Sequence, residues 1–133
     1  MSQFGKTKLV KKMHFDKSAQ EKLLTGIDKI AEAVGSTLGA SGRNVIIEND
    51  YGDPHVTKDG VTVANNILLQ DPVENIAVSM MKQAAQKTAS IAGDGTTTSI
   101  VLTKAIIDSF YKLKGQDFSF RDIKSGINKF AKD

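Results

Sequence analysis

The sequence predicts a mainly α fold, a helical bundle carrying one small β-hairpin. Three observations predict it: long stretches repeat apolar residues at steps of three and four, glycine and other turn formers gather between those stretches, and one short region alternates β-branched residues with Gly, Asn, Asp and Pro. With 133 residues, 40% of them hydrophobic and 25% charged, the chain has the make-up of one globular domain with a modest core and of no disordered class.

Residues 1–15 form a basic arm containing KTKLVKKMH, and a helix follows over residues 16–38. Its stripe is Ala19, Leu23, Ile27, Ile30, Ala31, Val34 and Leu38. Ser18 with Glu21 makes a capping-box pattern at its start, and Asp16 is a rival cap. Next, residues 44–48 and 55–58 read as a hairpin joined by a turn around residues 51–54. Asp71, Pro72 and Glu74 supply a cap, an N1 proline and an N3 acid for a second helix ending near Ser90. That helix has Val73, Ile76, Ala77, Met80, Met81, Ala84 and Ala85 as its stripe. A third helix starts around Thr96 and is expected to bury Ile100, Val101, Ile106, Ile107, Phe110 and Leu113 before Gly115 stops it. Ser119 and Asp122 open a fourth, whose inner face is Ile123, Ile127 and Phe130.

Eighteen basic and 15 acidic residues give a net charge of +3, too balanced for a nucleic-acid partner unless the bases cluster, which they do only at the start. No apolar run approaches the roughly 20 residues of a membrane span, and the first residues lack a signal-peptide core. The absence of cysteine removes disulfide and thiol chemistry and suits a cytoplasmic protein.

The stretch AGDGTTTS, from Ala92 to Ser99, carries the clearest chemistry. It lies between the second and third helices, so its threonines sit at a helix N-terminus, where free amides and the positive end of the helix dipole favour an anion. Gly93 and Gly95 admit close approach, and the hydroxyls of Thr96, Thr97 and Thr98 can donate to phosphate oxygens. Asp94 would repel a bare phosphate, which argues for Mg²⁺ between carboxylate and phosphates. The implied ligand is a metal-bound nucleotide. Alone, the octapeptide reads better as ordinary turn and cap chemistry, and neither standard phosphate-loop fingerprint occurs. Two further glycine turns shift the balance: TLGASGRN at residues 37–44 and TKDGVTVA at residues 57–64, the latter an acidic glycine turn running into an apolar stretch. The three turns are expected to converge.

TLGASGRN, TKDGVTVA and AGDGTTTS, in that order with long helices between them, resemble the N-terminal equatorial segment of the group I chaperonins, the GroEL family, from about Lys12 onward. The resemblance implies a helical equatorial ATPase domain over residues 16–133, preceded by an arm and strand over residues 1–15; the strand near residues 12–15 would pair with the hairpin tip, residues 49–53, of a neighbouring subunit. It implies ATP, Mg²⁺ and K⁺ as cofactors. By position, Thr37, Leu38 and Gly39 would contact nucleotide, and Asp59 and Gly60 would face the phosphates. Asp94 would hold Mg²⁺, and Gly95, Thr96, Thr97 and Thr98 would hold the phosphates. K⁺ would lie near the backbone of Thr37 and Lys58 and the Thr97 hydroxyl. Asp59 would be the catalytic residue, orienting or deprotonating the attacking water. The implied partners are a homo-oligomeric ring, unfolded protein clients and a cochaperonin.

Ala40 and Ser41 stand where the family usually has proline and lysine, which loosens the turn and removes a charge near the pocket. The NNILLQDPVEN stretch is less acidic than its usual counterpart. The hinge, apical and returning C-terminal equatorial parts of the family's subunit are absent, so the chain reads as a fragment or truncated relative. The first and third helices are then expected to expose apolar surface, and the isolated chain is expected to lack ATPase activity.

Two other classes remain beside this reading. Lys6, Lys8, Lys11 and Lys12 would suit a small nucleic-acid-binding module, although no aromatic platform follows them. The other is a non-enzymatic factor that joins chaperonin rings. Arg43 reads as a structural or interface residue, His14 and His55 as isolated positions rather than metal ligands, and Met80 and Met81 as core or subunit contacts.

Overall fold

A computed structural model describes residues 16–48, 52–113 and 119–132. The arm with Lys6, Lys8, Lys11, Lys12 and His14, the strand near residues 12–15, part of the hairpin tip and Gly115 lie outside the described residues. The chain runs α1 Asp16–Gly35, β1 Val45–Ile47, β2 His55–Thr57, α2 Gly60–Asn66, α3 Pro72–Ala92, α4 Thr96–Leu113 and α5 Phe120–Phe130.

The long helices α1, α3 and α4 pack against one another, and α2 plugs the space beside them. Ile30 and Val34 from α1, Val63 and Ala64 from α2, Val78, Met81 and Ala85 from α3, and Ile100 from α4 make one core. Ile30, Val34, Val78 and Ile100 are its largest fully enclosed side chains, and burial of each stabilises the fold by roughly 1.5–3 kcal/mol. Gly26 lets α1 cross α3 closely, since a Cβ there would lie 2.3 Å from the Glu74 carbonyl oxygen. Lys22–Asp71 and Lys29–Glu74 ion pairs flank that crossing.

The start of α3 follows the sequence reading: Asp71 accepts from the Val73 and Glu74 amides, and Pro72 occupies the first turn. The helix runs to Ala92, two residues beyond the expected end, and Gly93 caps it in the left-handed region at φ 78°. The α5 capping box is present, with Ser119 and Asp122 each receiving the other's amide. Strands β1 and β2 pair antiparallel with Val45 opposite Thr57 and Ile47 opposite His55; β1 is one residue shorter than expected at each end and β2 one residue shorter at its C-terminal end.

Four expectations are corrected. The first helix ends at Gly35 rather than Leu38, because the Thr37 and Leu38 amides bond three residues back to Val34 and Gly35. That tightened exit is closed by the Arg43 amide donating to the Ser36 carbonyl at 2.8 Å, which gives Arg43 a structural role through its backbone. Neither Ser18 nor its rival Asp16 is the cap, since the helix already includes both. Residues 60–66, read as an apolar stretch, form α2: Asp59 caps it and core contacts of Val63 and Ala64 override the weak helix propensity of β-branched residues. Finally, the inner faces are partial. Ile76, Met80, Ile106, Leu113, Ile127 and Phe130 are exposed, because α3 and α4 cover only one side of each stripe and α5 buries no residue. Exposed Leu102 on α4 agrees with the uncovered apolar surface expected of that helix, whereas among the described residues α1 carries none of the exposed large hydrophobic side chains.

Candidate functional site

The exits and entrances of four helices place the predicted residues. Thr37 follows α1, Gly60 begins α2, and Thr97 lies in the first turn of α4. All three turns meet at Gly60, which is buried. A Cβ on Gly60 would lie 2.1 Å from Thr97 Oγ1 and 3.0 Å from Thr37 Oγ1, so only a bare backbone lets α2 rest on these two hydroxyls. Thr37 is enclosed and donates through Oγ1 to the Val34 carbonyl at 2.7 Å.

Asp59 precedes Gly60 and uses both carboxylate oxygens. Oδ1 accepts from the Val61 amide at 3.3 Å; Oδ2 accepts from the Thr62 amide at 3.1 Å and from Thr62 Oγ1 at 2.6 Å. The Thr62 hydroxyl, then the Thr62 amide, hold its pKa below the usual carboxylate value, against a small desolvation effect. An exposed carboxylate held in this way stays ionised and is a weak proton acceptor; it is suited to orienting a bound group.

Asp94 lies exposed on the α3–α4 loop between Gly93 and Gly95, both with positive φ, and its Oδ1 accepts from the Gly95 amide at 2.6 Å. The Gly95 carbonyl accepts from Ser99 N at 2.8 Å, opening α4. Thr96 is buried at 7% exposure, Thr97 is half-buried and Thr98 is exposed. Leu38 and Lys58 are exposed, and Gly39 turns the chain at φ 80°. The structure thus joins Thr37, Gly60 and Thr97 directly, with Asp59 adjacent in chain to that junction.

The fit to a magnesium nucleotide rests on the donor set. Among the described residues no group of three His, Cys, Asp or Glu side chains is assembled to hold a metal. A single exposed carboxylate beside a helix N-terminus instead matches the usual Mg²⁺ arrangement of one or two carboxylates completed by water and phosphate oxygens. Among the described residues no helix is long and apolar enough to cross a membrane.

Sequence reasoning missed Thr62, whose spacing of three from Asp59 is a cap signal in retrospect. It also missed Lys82, whose ammonium on α3 donates to the Asn65 and Ile67 carbonyls at 3.1 and 2.7 Å. No local pattern signals a contact across 15 to 17 residues. Thr88 and Ser99 join α3 to α4 through a 3.1 Å hydroxyl contact and were equally invisible.

Residues 30–133 match the TCP-1/cpn60 chaperonin family. The chain belongs to this family. The resemblance read from the three glycine turns therefore stands, together with the mainly α equatorial-type bundle and its small hairpin. Among curated chaperonin relatives, it is 45% identical over 133 residues to chaperonin 60 subunit beta 3, chloroplastic, of Arabidopsis thaliana, covering 98% of this chain and 22% of that protein. It is 47% identical to the chloroplastic RuBisCO large subunit-binding protein subunit beta of Pisum sativum, over 93% of this chain and 21% of that one. The chain thus spans about a fifth of the length of these chaperonins. Among solved structures, a chaperonin from the bacteriophage EL 2 (Pseudomonas aeruginosa), crystallised in the presence of ATP-BeFx, superposes with a TM-score of 0.66 at 36% identity, covering 79% of this chain and 18% of that chain. A second crystal form gives a TM-score of 0.67. The cytoplasmic expectation is overturned by the chloroplastic chaperonins among these relatives. Absence of cysteine bears on disulfide chemistry and does not single out a compartment.

Proposed function

We propose that this segment is the nucleotide-binding part of an ATP-dependent chaperonin subunit that works in a homo-oligomeric ring on unfolded protein clients, with a cochaperonin as partner. The observation that carries the reading is the junction of Thr37, Gly60 and Thr97, where three separate glycine turns come together as a phosphate site requires. Family membership supports the ATPase reading at the level of the family.

In this reading the backbone of Gly95 and Thr96 and the hydroxyls of Thr97 and Thr98 receive the phosphates at the start of α4, where amides and helix dipole favour negative charge. Asp94 is the Mg²⁺ ligand, and the ion supplies neutralisation of phosphate charge when bound. Leu38 and Gly39 flank the nucleotide, and K⁺ is assigned to the oxygens of Thr37, Lys58 and Thr97. Asp59 is the catalytic residue. Its firmly ionised carboxylate, already shared with Thr62, favours orientation of the attacking water over removal of its proton.

The test is MgATP titration and phosphate release on the complete ring-forming subunit carrying this segment. Asp94→Ala is expected to weaken binding and hydrolysis together. Unchanged MgATP affinity in that variant would overturn the assignment.

A further inference from the structure

We infer that Lys82 is a positioning residue of the proposed phosphate site, tying the helix led by Asp59 to the helix that leads into Asp94. The inference rests on the nucleotide reading above and adds to it a residue that touches neither phosphate nor metal.

Helix α2 has only seven residues, and helices shorter than about 12 residues are marginal without tertiary support. Its N-terminal end is fixed by Asp59 on the Val61 and Thr62 amides. At its other end the last carbonyls need partners. Asn66 Nδ2 serves the Thr62 carbonyl at 2.8 Å, and the Ile67 amide serves Ala64. The Asn65 and Ile67 carbonyls receive the Lys82 ammonium, a cation at the negative end of the helix dipole. Lys82 is half-buried, and burial lowers its pKa. Such a side chain is held at a cost in hydration, which its two carbonyl partners offset.

The placement gives this contact a consequence for chemistry. Lys82 belongs to α3, which ends in the Gly93–Asp94–Gly95 turn, whereas the carbonyls belong to the helix that starts at Asp59 and Gly60. Val63 and Ala64 in the core and the packing of α2 on α1 and α4 seat the helix, and the lysine ties its C-terminal end to α3. A slide of α2 would carry Gly60 off the Thr97 and Thr37 hydroxyls and alter the spacing of the two acidic turns. Small misplacements of this kind reduce turnover strongly.

The experiment compares wild type, Lys82→Met, Lys82→Arg and Lys22→Met in the complete subunit, reading kcat and KM for MgATP and the melting temperature. Lys82→Met keeps the apolar stem and loses the donor. Lys22→Met breaks an interhelical ion pair remote from the turns and reports what plain loss of stability does to activity. The expected result is a fall in kcat of about tenfold or more for Lys82→Met, a smaller change in KM, partial recovery in Lys82→Arg, and near-normal kcat in Lys22→Met. Equal kcat in Lys82→Met and wild type, or equal losses in Lys82→Met and Lys22→Met, overturn the inference. If Asp94→Ala is impaired while Lys82→Met is not, the inference alone fails. If wild type neither binds nor hydrolyses ATP, the nucleotide reading fails and this inference with it.

Discussion

Gly60 and Thr97 stand so close that a single added carbon on the glycine would lie 2.1 Å from the threonine hydroxyl oxygen. The neighbouring surroundings offer little relief, because Thr97 Cβ would be 3.1 Å away and Thr37 Oγ1 3.0 Å. Gly60→Ala is therefore expected to push α2 off α4, costing about 1–3 kcal/mol of stability as overpacking does, and to weaken MgATP binding. Adding Thr97→Ala should return part of the stability without the affinity, since it removes the nearest oxygen and a proposed ligand together. Denaturant unfolding and calorimetric titration of the two variants would check this. Wild-type affinity in Gly60→Ala would refute it.

Asp59 has two separable duties, cap and proposed water ligand. Asp59→Ala is expected to lose about 1 kcal/mol of stability as an N-cap replacement does. Asp59→Asn retains one of the two side-chain acceptor oxygens that hold the Val61 and Thr62 amides and should lose less stability than Asp59→Ala. In the complete subunit, Asp59→Asn should still bind MgATP while turnover falls by on the order of 10²-fold. Full turnover by Asp59→Asn would reduce the residue to its capping duty.

The acid dependence of stability should carry a signature of Asp71. The Lys22 ammonium, then the Glu74 amide, lower its pKa to about 2. A carboxyl group with a depressed folded-state pKa stabilises the fold above its unfolded pKa of about 3.9 and loses that contribution as pH falls through the folded value. Asp71→Asn, which keeps a side-chain acceptor, should thus be less stable than wild type near pH 6. The gap should close between about pH 4 and pH 2. Urea midpoints across that range would measure it, and a gap independent of pH would be the contrary result.

Two glycines inside helices should respond oppositely to alanine. Helix propensity alone favours alanine by about 1 kcal/mol. At Gly126 in α5 nothing lies within 4 Å of the added carbon, so the preference should appear as a gain in stability. At Gly26 the added carbon meets the Glu74 backbone oxygen at 2.3 Å, and backbone cannot turn aside. Gly26→Ala should lose about 1–3 kcal/mol. Paired thermal melts of the two variants would decide it; a gain at both positions would contradict the close α1–α3 crossing.

Local chemistry made much of this protein legible in its sequence. Asp71 with Pro72, and Ser119 with Asp122, each act within a few residues of themselves, so the starts of α3 and α5 followed from spacing. The apolar period likewise gave α1, α3 and α4, and the three glycine turns pointed to a shared ligand. What the sequence left open depends on contacts between distant segments. Helix α2 exists because Asp59 caps it, Val63 and Ala64 fill the core and Lys82 closes it from 15 to 17 residues away, against the preference of its β-branched residues. The exposed parts of the α3 and α4 stripes were also undetermined, since periodicity names an apolar face but not how much of it a neighbour covers. Only the tertiary structure set Thr37, Gly60 and Thr97 against one another, because the distance between two hydroxyls 60 residues apart in the chain is fixed by helix packing rather than by any local rule.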